Sequence, residues 1–259
     1  MGRGAGSGTG RARAWCAGAL AAAGLTLALV VGAAPALAQP AGPVVPGGPA
    51  APVPAPVPLP LPRPPREYAP LDRPGPALQV SDAELAGALD CTADVDGASR
   101  PPVLLIPGTT LTAEENFSWN YERAFASAGR PYCALTLPNH AMSDIQVSAE
   151  YVVAAIRAMH ERSGRSVAIV GFSQGGMIGR WALRFWPDTR AQVGEVVGLD
   201  PSNHGTLDAY PVCTGAGCAP AFWQQQTYSA FSTALNSYAE TFAGLWQDPY
   251  DVLTTTFDE

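Results

Sequence analysis

A short apolar run that leads directly into a Gly-x-Ser-x-Gly motif is the feature that most restricts the fold of this chain. Residues 166–170 have strand character, Gly171-Phe172-Ser173-Gln174-Gly175 follows, and apolar residues at helical spacing continue from Met177 to Phe185. A strand, a tight turn and a helix form the context in which such a motif exposes a serine hydroxyl at the edge of a sheet. The sequence therefore predicts that Ser173 is a nucleophile, and a purely structural turn is the alternative.

Strands and helices alternate on both sides of this motif. Apolar runs predict strands at residues 102–107, 132–137, 167–170, 193–199 and 251–256. Helical spacing predicts helices at residues 82–89, 117–125, 145–163 and 222–238, and Ser143 with Gln146 is expected to form a capping box. The predicted fold class is α/β, with a mainly parallel sheet and helices on both of its faces.

The first 77 residues have a different composition from the rest of the chain. Residues 1–38 combine three Arg, an apolar run at 17–34 and the sequence Ala36-Leu37-Ala38, which predicts a secretory signal peptide. A membrane anchor is the alternative, because the apolar run is nearly long enough to span a bilayer. Residues 39–77 are rich in Pro, which predicts a disordered or extended linker before a folded domain at 78–259.

The charge and the cysteines indicate an exported protein. The chain has a formal net charge of -7 and no Lys. Removal of the signal peptide would leave about -10, and an acidic chain without a basic stripe is a poor candidate for binding nucleic acid. An even number of cysteines in an exported chain predicts disulfides rather than metal ligation. The cysteines that follow the signal peptide are Cys91, Cys133, Cys213 and Cys218.

Several longer motifs occur in a characteristic order. They are Leu104-Leu105-Ile106-Pro107-Gly108-Thr109, Asp144-x-Gln146-Val147-x-x-Glu150-Tyr151, Ser173-Gln174-Gly175-Gly176, Phe222-Trp223-Gln224-Gln225, Ser229-Ala230-x-Ser232-Thr233-Ala234-Leu235 and Asp258-Glu259. In these motifs the chain resembles the lipase family similar to Candida antarctica lipase B, within the α/β-hydrolase superfamily. The resemblance runs from about residue 85 to residue 259.

The resemblance implies a role for four residues of the site. Ser173 would be the nucleophile and Asp258 the acid of the catalytic triad. Thr109 and Gln174 would form the oxyanion hole through their backbone N–H groups, with help from the Thr109 hydroxyl. Phe172 stands where the named lipase has Trp, so the alcohol selectivity of that enzyme does not transfer to this chain.

The resemblance also bears on the four cysteines. Cys91 and Cys133 match the N-terminal disulfide of the family. Cys213 with Cys218 is less like the named lipase and is the simplest pairing left, although mispairing stays open.

The three histidines do not match the family's order of nucleophile, acid and base. His140 and His160 precede Ser173, and His204 precedes Asp258. We expect His160 to be solvated, His140 to be a loop residue or to line the pocket, and His204 to have a structural or pocket-rim role, with a catalytic role as its alternative. The family's base would follow Asp258 on a segment beyond Glu259. The sequence is therefore expected to be truncated at its C-terminus, with an incomplete sheet and negligible esterase turnover.

These observations predict a secreted carboxylic ester hydrolase, a triacylglycerol lipase or esterase. It would act on acylglycerols or other apolar esters through a Ser173 acyl-enzyme, without a metal or organic cofactor. We expect a monomer that contacts lipid interfaces and is secreted or associated with the cell envelope. One alternative is a catalytically dead secreted fold that binds lipid or envelope. The other is a polyester depolymerase or acyltransferase with the same machinery.

Overall fold

A mainly parallel sheet organises the folded part of the chain. The computed structural model describes residues 68–214 and 217–238 and the backbone of residues 250–253, all within the compact unit Pro62–Glu259. The sheet order is β1-β3-β2-β4-β5-β6, and every neighbouring pair is parallel except β1 with β3. The strands are β1 (Leu89–Cys91), β2 (Val103–Ile106), β3 (Tyr132–Leu135), β4 (Val167–Phe172), β5 (Val193–Leu199) and β6 (Tyr250–Leu253).

Helices follow most of the strands, as the alternating pattern predicts. They are α1 (Asp82–Gly87), α2 (Ala113–Phe117), α3 (Tyr121–Ala128), α4 (Pro138–Ala141), α5 (Ile145–Ser163), α6 (Gln174–Phe185), α7 (Ala209–Val212), α8 (Pro220–Gln224) and α9 (Ala230–Leu235). Short 3-10 turns occupy Ala93–Val95 and Pro187–Gln192. No helix of the described residues is long and apolar enough to cross a membrane.

Both faces of the sheet are buried, which explains the continuous apolar run of β2. Leu104 and Ile106 belong to the larger core, which includes buried residues of α5 and α6. Val103 and Leu105 point to the other face, where Phe117 of α2 belongs to a second core. Complete burial of such an aliphatic side chain contributes about 1.5–3 kcal/mol. The prediction of helices on both faces of the sheet is therefore confirmed.

The structure corrects several local predictions. The predicted helix 82–89 ends at Gly87, and Leu89–Cys91 forms an edge strand too short for its pattern to show in the sequence. The predicted helix 117–125 is divided between α2 and α3, with Asn120 capping α3 through its side chain. The predicted helix 222–238 is likewise divided, because Tyr228 has a φ of 62° between α8 and α9.

The predicted capping box at the start of α5 is wrong. Asp144, not Ser143, is the N-cap, and its carboxylate accepts a hydrogen bond from the Gln146 backbone N–H. The end of the helix is as predicted, since Gly164 has a φ of 65° there. Residues 254–256 of the last predicted strand lie outside the described residues, whereas β6 begins at Tyr250.

The last part of the predicted Pro-rich linker lies against α6. The carbonyl of Ala69 accepts a hydrogen bond from the buried Arg184, and the carbonyl of Pro76 accepts one from Trp186 Nε1 at 2.8 Å. A Cβ atom added to Gly75 would lie 2.3 Å from the Trp186 ring, so the backbone passes directly over that side chain. Residues 69–76 therefore contribute to the packing of the domain.

Candidate active site

Ser173 lies on the sharp turn between β4 and α6. Its backbone has a φ of 50° and a ψ of -118°, a conformation that is strained for a residue with a Cβ atom. The Ser173 N–H donates to the Leu199 carbonyl at 2.8 Å, and the Ser173 carbonyl accepts from the Gly176 N–H at 3.1 Å. The turn predicted from Gly-x-Ser-x-Gly is present, and β5 holds it in place.

The two glycines of the motif are required because backbones meet at this turn. A Cβ atom added to Gly171 would lie 2.4 Å from the Gly175 carbonyl carbon. A Cβ atom added to Gly175 would lie 2.1 Å from the Ile106 oxygen at the end of β2. Real Cβ contacts are not this short, so any larger residue would force α6 away from the sheet.

A cavity of about 260 Å³ opens beside Ser173. Its lining combines polar groups with apolar side chains from the loop after β2, the loop after β5, α7 and α8. The lining residues are Thr109, Ser173, Ser202, Thr206, Asp208, Ala209, Val212, Phe222 and Gln225. The parallel sheet explains why these segments meet, because the carboxyl ends of β2, β4 and β5 lie at the same edge.

The loop that carries Thr109 is held by α2. The Gly108 N–H donates to Asn116 Oδ1 at 3.0 Å. Thr112 and Glu115 form a capping box at the start of α2. Hydrogen bonds from the Thr112 backbone N–H and hydroxyl lower the pKa of the Glu115 carboxyl, so this cap stays ionised to a lower pH than a free glutamate would.

The Thr109 hydroxyl accepts hydrogen bonds from two glutamine amides. Gln174 Nε2 lies 2.9 Å from Thr109 Oγ1, and Gln225 Nε2 lies 2.8 Å from the same oxygen. Gln174 Nε2 also donates to the Ala141 carbonyl at 2.9 Å, and Gln225 Nε2 donates to the Ala221 carbonyl at 3.2 Å. Both amides are buried, so these bonds are shielded from water.

A left-handed turn next to the site supplies one of these acceptors. Asn139, His140 and Ala141 have φ angles of 50°, 51° and 58°, and the His140 carbonyl accepts from the Thr110 N–H at 2.8 Å. Three consecutive residues with positive φ and a Cβ atom are strained, at about 1–2 kcal/mol each. The turn thus places two carbonyls, one against the Thr110 amide and one against the Gln174 side chain. Asn139 is of a type that favours a positive φ, but the sequence does not predict three residues with positive φ in succession.

The Trp-Gln-Gln motif joins the site to α5. Gln224 Oε1 accepts from the Ile145 N–H at 2.7 Å, and Gln224 Nε2 donates to Asp144 Oδ1 at 2.8 Å. The next residue, Gln225, binds Thr109 instead. The sequence marks the motif as characteristic, but only the structure separates the two roles. Gln225 is therefore a site residue that the sequence does not predict.

The predicted site residues have different outcomes. Ser173 and Thr109 line one cavity, and Gln174 is the first residue of α6 with its side chain on Thr109. Asp258 lies outside the described residues. Phe172, which precedes Ser173, packs behind the Thr109 loop, since a Cβ atom on Gly108 would lie 2.8 Å from its ring.

The structure contains both disulfides. Cys91–Cys133 joins directly opposed residues of β1 and β3. Cys213–Cys218 links the end of α7 to the segment before α8, and Val212 and Phe222 on either side of it line the cavity. This second bond therefore links two parts of the cavity wall covalently.

Among the described residues, no histidine hydrogen-bonds to the Ser173 hydroxyl. His160 Nδ1 donates to the Arg165 carbonyl at 2.8 Å at the end of α5. His204 lines a separate cavity of about 480 Å³ together with Tyr228 and Asn236. His140 is exposed on the left-handed turn. Within the same described residues, no group of three or more His, Cys, Asp or Glu side chains is placed to hold a metal ion.

Comparisons with known proteins agree with this architecture. No family model matches the chain. Lipase B of Pseudozyma antarctica is 34% identical over 163 residues, which cover 62% of this chain and 48% of that protein. The crystal structure of Aspergillus fumigatus lipase B superposes with a TM-score of 0.63 at 29% identity, over 75% of this chain and 48% of that one. The chain thus spans about half the length of the relatives that it matches. It has the α/β-hydrolase fold and is similar in sequence and structure to lipase B proteins.

Proposed function

We propose that this protein hydrolyses carboxylic esters through an acyl-enzyme formed on Ser173. One observation carries the proposal: Ser173, on a strained turn between β4 and α6, lines the same cavity as Thr109. The relationship to lipase B proteins supports ester hydrolysis as the reaction class.

The geometry supports a defined sequence of steps. Ser173 Oγ attacks the ester carbonyl carbon, and a base takes the serine proton. The N–H groups of Thr109 and Gln174 and the Thr109 hydroxyl stabilise the oxyanion, and the N-terminus of α6 adds a favourable dipole. The alcohol leaves with the proton, and water then releases the acid from Ser173. We propose that Asp258 orients the base, as the carboxylate does in this family's triad.

Apolar esters are the substrates that the surroundings of the cavity favour. Ala209, Val212 and Phe222 give part of its lining an apolar character. Leu207, Tyr210 and Val212, on and beside α7, are 70%, 44% and 54% exposed, which is unusual for large apolar side chains so close together. We propose that these residues contact the lipid–water interface while an acylglycerol or similar ester enters the cavity.

The proposed setting is outside the cytoplasm. Two disulfides are typical of exported proteins. We propose that residues 1–38 are a signal peptide, that a Pro-rich linker follows, and that the mature protein is a secreted or envelope-associated monomer.

Ester hydrolysis with a matched serine variant tests the proposal. We expect p-nitrophenyl butyrate hydrolysis by the protein expressed from its native gene, with a loss of at least ~10³-fold in Ser173→Ala. Covalent labelling by a fluorophosphonate, located on Ser173 by mass spectrometry, is the second measurement. Acyl transfer to an added alcohol in place of water would indicate an acyltransferase.

A non-catalytic lipid-binding protein is the competing function. It is favoured by the observation that no described histidine hydrogen-bonds to Ser173. For the polypeptide of residues 1–259 we expect only the residual catalysis that remains without a base, ~10³–10⁴-fold over water. The ester hydrolase proposal is wrong if two results are found together. The first is that neither the protein expressed from its native gene nor the polypeptide of residues 1–259 hydrolyses the ester or reacts with the fluorophosphonate. The second is that both of them cosediment with liposomes.

A further inference from the structure

The two glutamine amides at Thr109 have their orientation fixed by backbone carbonyls. Gln174 Nε2 faces the Ala141 carbonyl and Gln225 Nε2 faces the Ala221 carbonyl. A carbonyl oxygen accepts hydrogen bonds and does not donate them, so exchanging N and O in either amide would oppose two acceptors. Each NH₂ group must therefore also be the donor to Thr109 Oγ1.

Two donors use the full accepting capacity of a hydroxyl oxygen. A threonine hydroxyl has two acceptor lone pairs and one hydrogen. With both lone pairs occupied, the hydrogen of Thr109 must point away from both glutamines. Thr109 and Ser173 line the same cavity, and no described residue accepts a hydrogen bond from Thr109 Oγ1.

We propose that Gln225 is a positioning residue that, together with Gln174, makes the Thr109 hydroxyl an obligatory donor toward the reacting ester. This inference rests on the proposed function. Gln225 belongs to α8's C-cap and Gln174 to the start of α6, so the direction of the hydroxyl depends on two separate elements. The donor is fixed before substrate arrives, and it needs no reorganisation when negative charge develops.

A double-mutant cycle tests whether Gln225 acts through Thr109. Thr109→Val removes the hydroxyl donor and is expected to lower kcat by about 10²–10³-fold with little change in KM. Gln225→Leu alone is expected to lower kcat by about tenfold, because the freed lone pair lets the hydroxyl rotate. In the Thr109→Val background, Gln225→Leu should have no further effect on kcat.

Gln224→Leu is the matched control for this cycle. Gln224 is adjacent in sequence and equally engaged in hydrogen bonds, but its partners are Asp144 and Ile145. Its effect on kcat should therefore be the same in the unchanged protein and in the Thr109→Val background. Additive effects of Gln225→Leu and Thr109→Val would overturn the proposal.

Gln225→Glu reverses the direction of the key hydrogen bond at almost constant shape. A carboxylate only accepts hydrogen bonds, so it would take the Thr109 hydrogen and turn it away from the cavity. We expect kcat to fall about 10²–10³-fold, as in Thr109→Val, and KM to change little. A kcat of Gln225→Glu equal to that of the unchanged protein contradicts the inference.

A spectroscopic measurement separates this inference from the proposed reaction. In Thr109→Val, the side-chain amide ¹H–¹⁵N signals of Gln174 and Gln225 should both shift, whereas those of Gln224 should not. If the unchanged protein shows no Ser173-dependent turnover, the proposed ester hydrolysis is wrong, but the hydrogen bonds assigned to Gln174 and Gln225 are not contradicted. If the Gln225 side-chain amide signals do not shift in Thr109→Val, the proposed positioning role of Gln225 is wrong, whether or not the protein hydrolyses esters.

Discussion

At the scale of single residues, the site depends on atoms that the sequence identifies by type but does not place. The Gly-x-Ser-x-Gly spacing is sufficient to predict the turn at Ser173, because only glycine fits where β4, α6 and β2 touch. The resemblance is sufficient to suggest Thr109. The contact between Gln225 and Thr109 spans 116 positions of sequence, and no local pattern encodes such a distance.

A glycine substitution tests the close packing behind Ser173. Gly175→Ala would place a Cβ atom 2.1 Å from the Ile106 carbonyl oxygen, so α6 must move away from β2. We expect the free energy of unfolding to fall by about 1–3 kcal/mol and Ser173-dependent hydrolysis to fall with it. Urea unfolding followed by circular dichroism measures the first effect.

Gly87→Ala is the control, since nothing lies within 4 Å of a Cβ atom at that position at the end of α1. Its unfolding free energy should be unchanged or higher by about 0.5–1 kcal/mol. Equal stability of the two variants would show that the turn has more room than the structure indicates.

At the scale of elements, the predictions succeed where a sequence pattern is long, and they fail where a local side-chain cap or a positive φ sets the boundary of a helix. The 19-residue helix α5 and the strand β5 match their predicted bounds almost to the residue. The helices predicted at 117–125 and 222–238 are each divided, because periodicity does not reveal where a side-chain cap or a positive φ interrupts a helix. The left-handed turn of α4 carries no turn residue other than Asn139 that would reveal it.

Because His140 lies in this turn, we expect its substitution by glycine to be tolerated without loss of stability. At a φ of 51°, His140→Gly removes the strain of a Cβ atom while the carbonyl that accepts from Thr110 remains. We expect the melting temperature to stay the same or rise, since relief of this strain is worth about 1–2 kcal/mol. Differential scanning calorimetry is the measurement.

His160→Gly provides the opposite result, because His160 lies in the last turns of α5 with ordinary helical geometry. Glycine there should cost about 1 kcal/mol and lower the melting temperature. A loss of similar size in both variants would argue against the left-handed turn.

At the scale of the whole molecule, the sequence predicts the fold class but not the residue at which the folded domain begins. Alternating strands and helices predict the α/β arrangement, and the structure shows it. Composition alone places residues 68–77 in a Pro-rich linker, yet Ala69, Leu71 and Pro76 offer carbonyls to α6 and the turn after it. A run of prolines has no hydrophobic periodicity. The sequence pattern therefore does not predict that the backbone carbonyls of this segment accept hydrogen bonds from arginine and tryptophan side chains.

Two shortened chains test this edge. A chain that begins at Leu78 loses the Ala69, Leu71 and Pro76 carbonyls, which accept one hydrogen bond each from Arg184, Arg190 and Trp186, whereas a chain that begins at Tyr68 keeps them. We expect the shorter chain to be less stable by at least about 2 kcal/mol, because a buried donor without its acceptor costs about 1–3 kcal/mol. Thermal unfolding of both proteins is the measurement. Identical melting temperatures would show that residues 68–77 do not stabilise the domain and belong to the linker.

The Cys213–Cys218 bond has a practical consequence for anyone who purifies this protein. It links the end of α7 to the segment before α8, and Val212 and Phe222 of these two elements line the cavity beside Ser173. Reduction would remove this covalent link, so a preparation kept in dithiothreitol and one kept without it would differ in the mobility of that part of the cavity wall. Binding or activity measurements on the two preparations would therefore refer to two different forms of this wall, and their comparison requires the redox state to be stated.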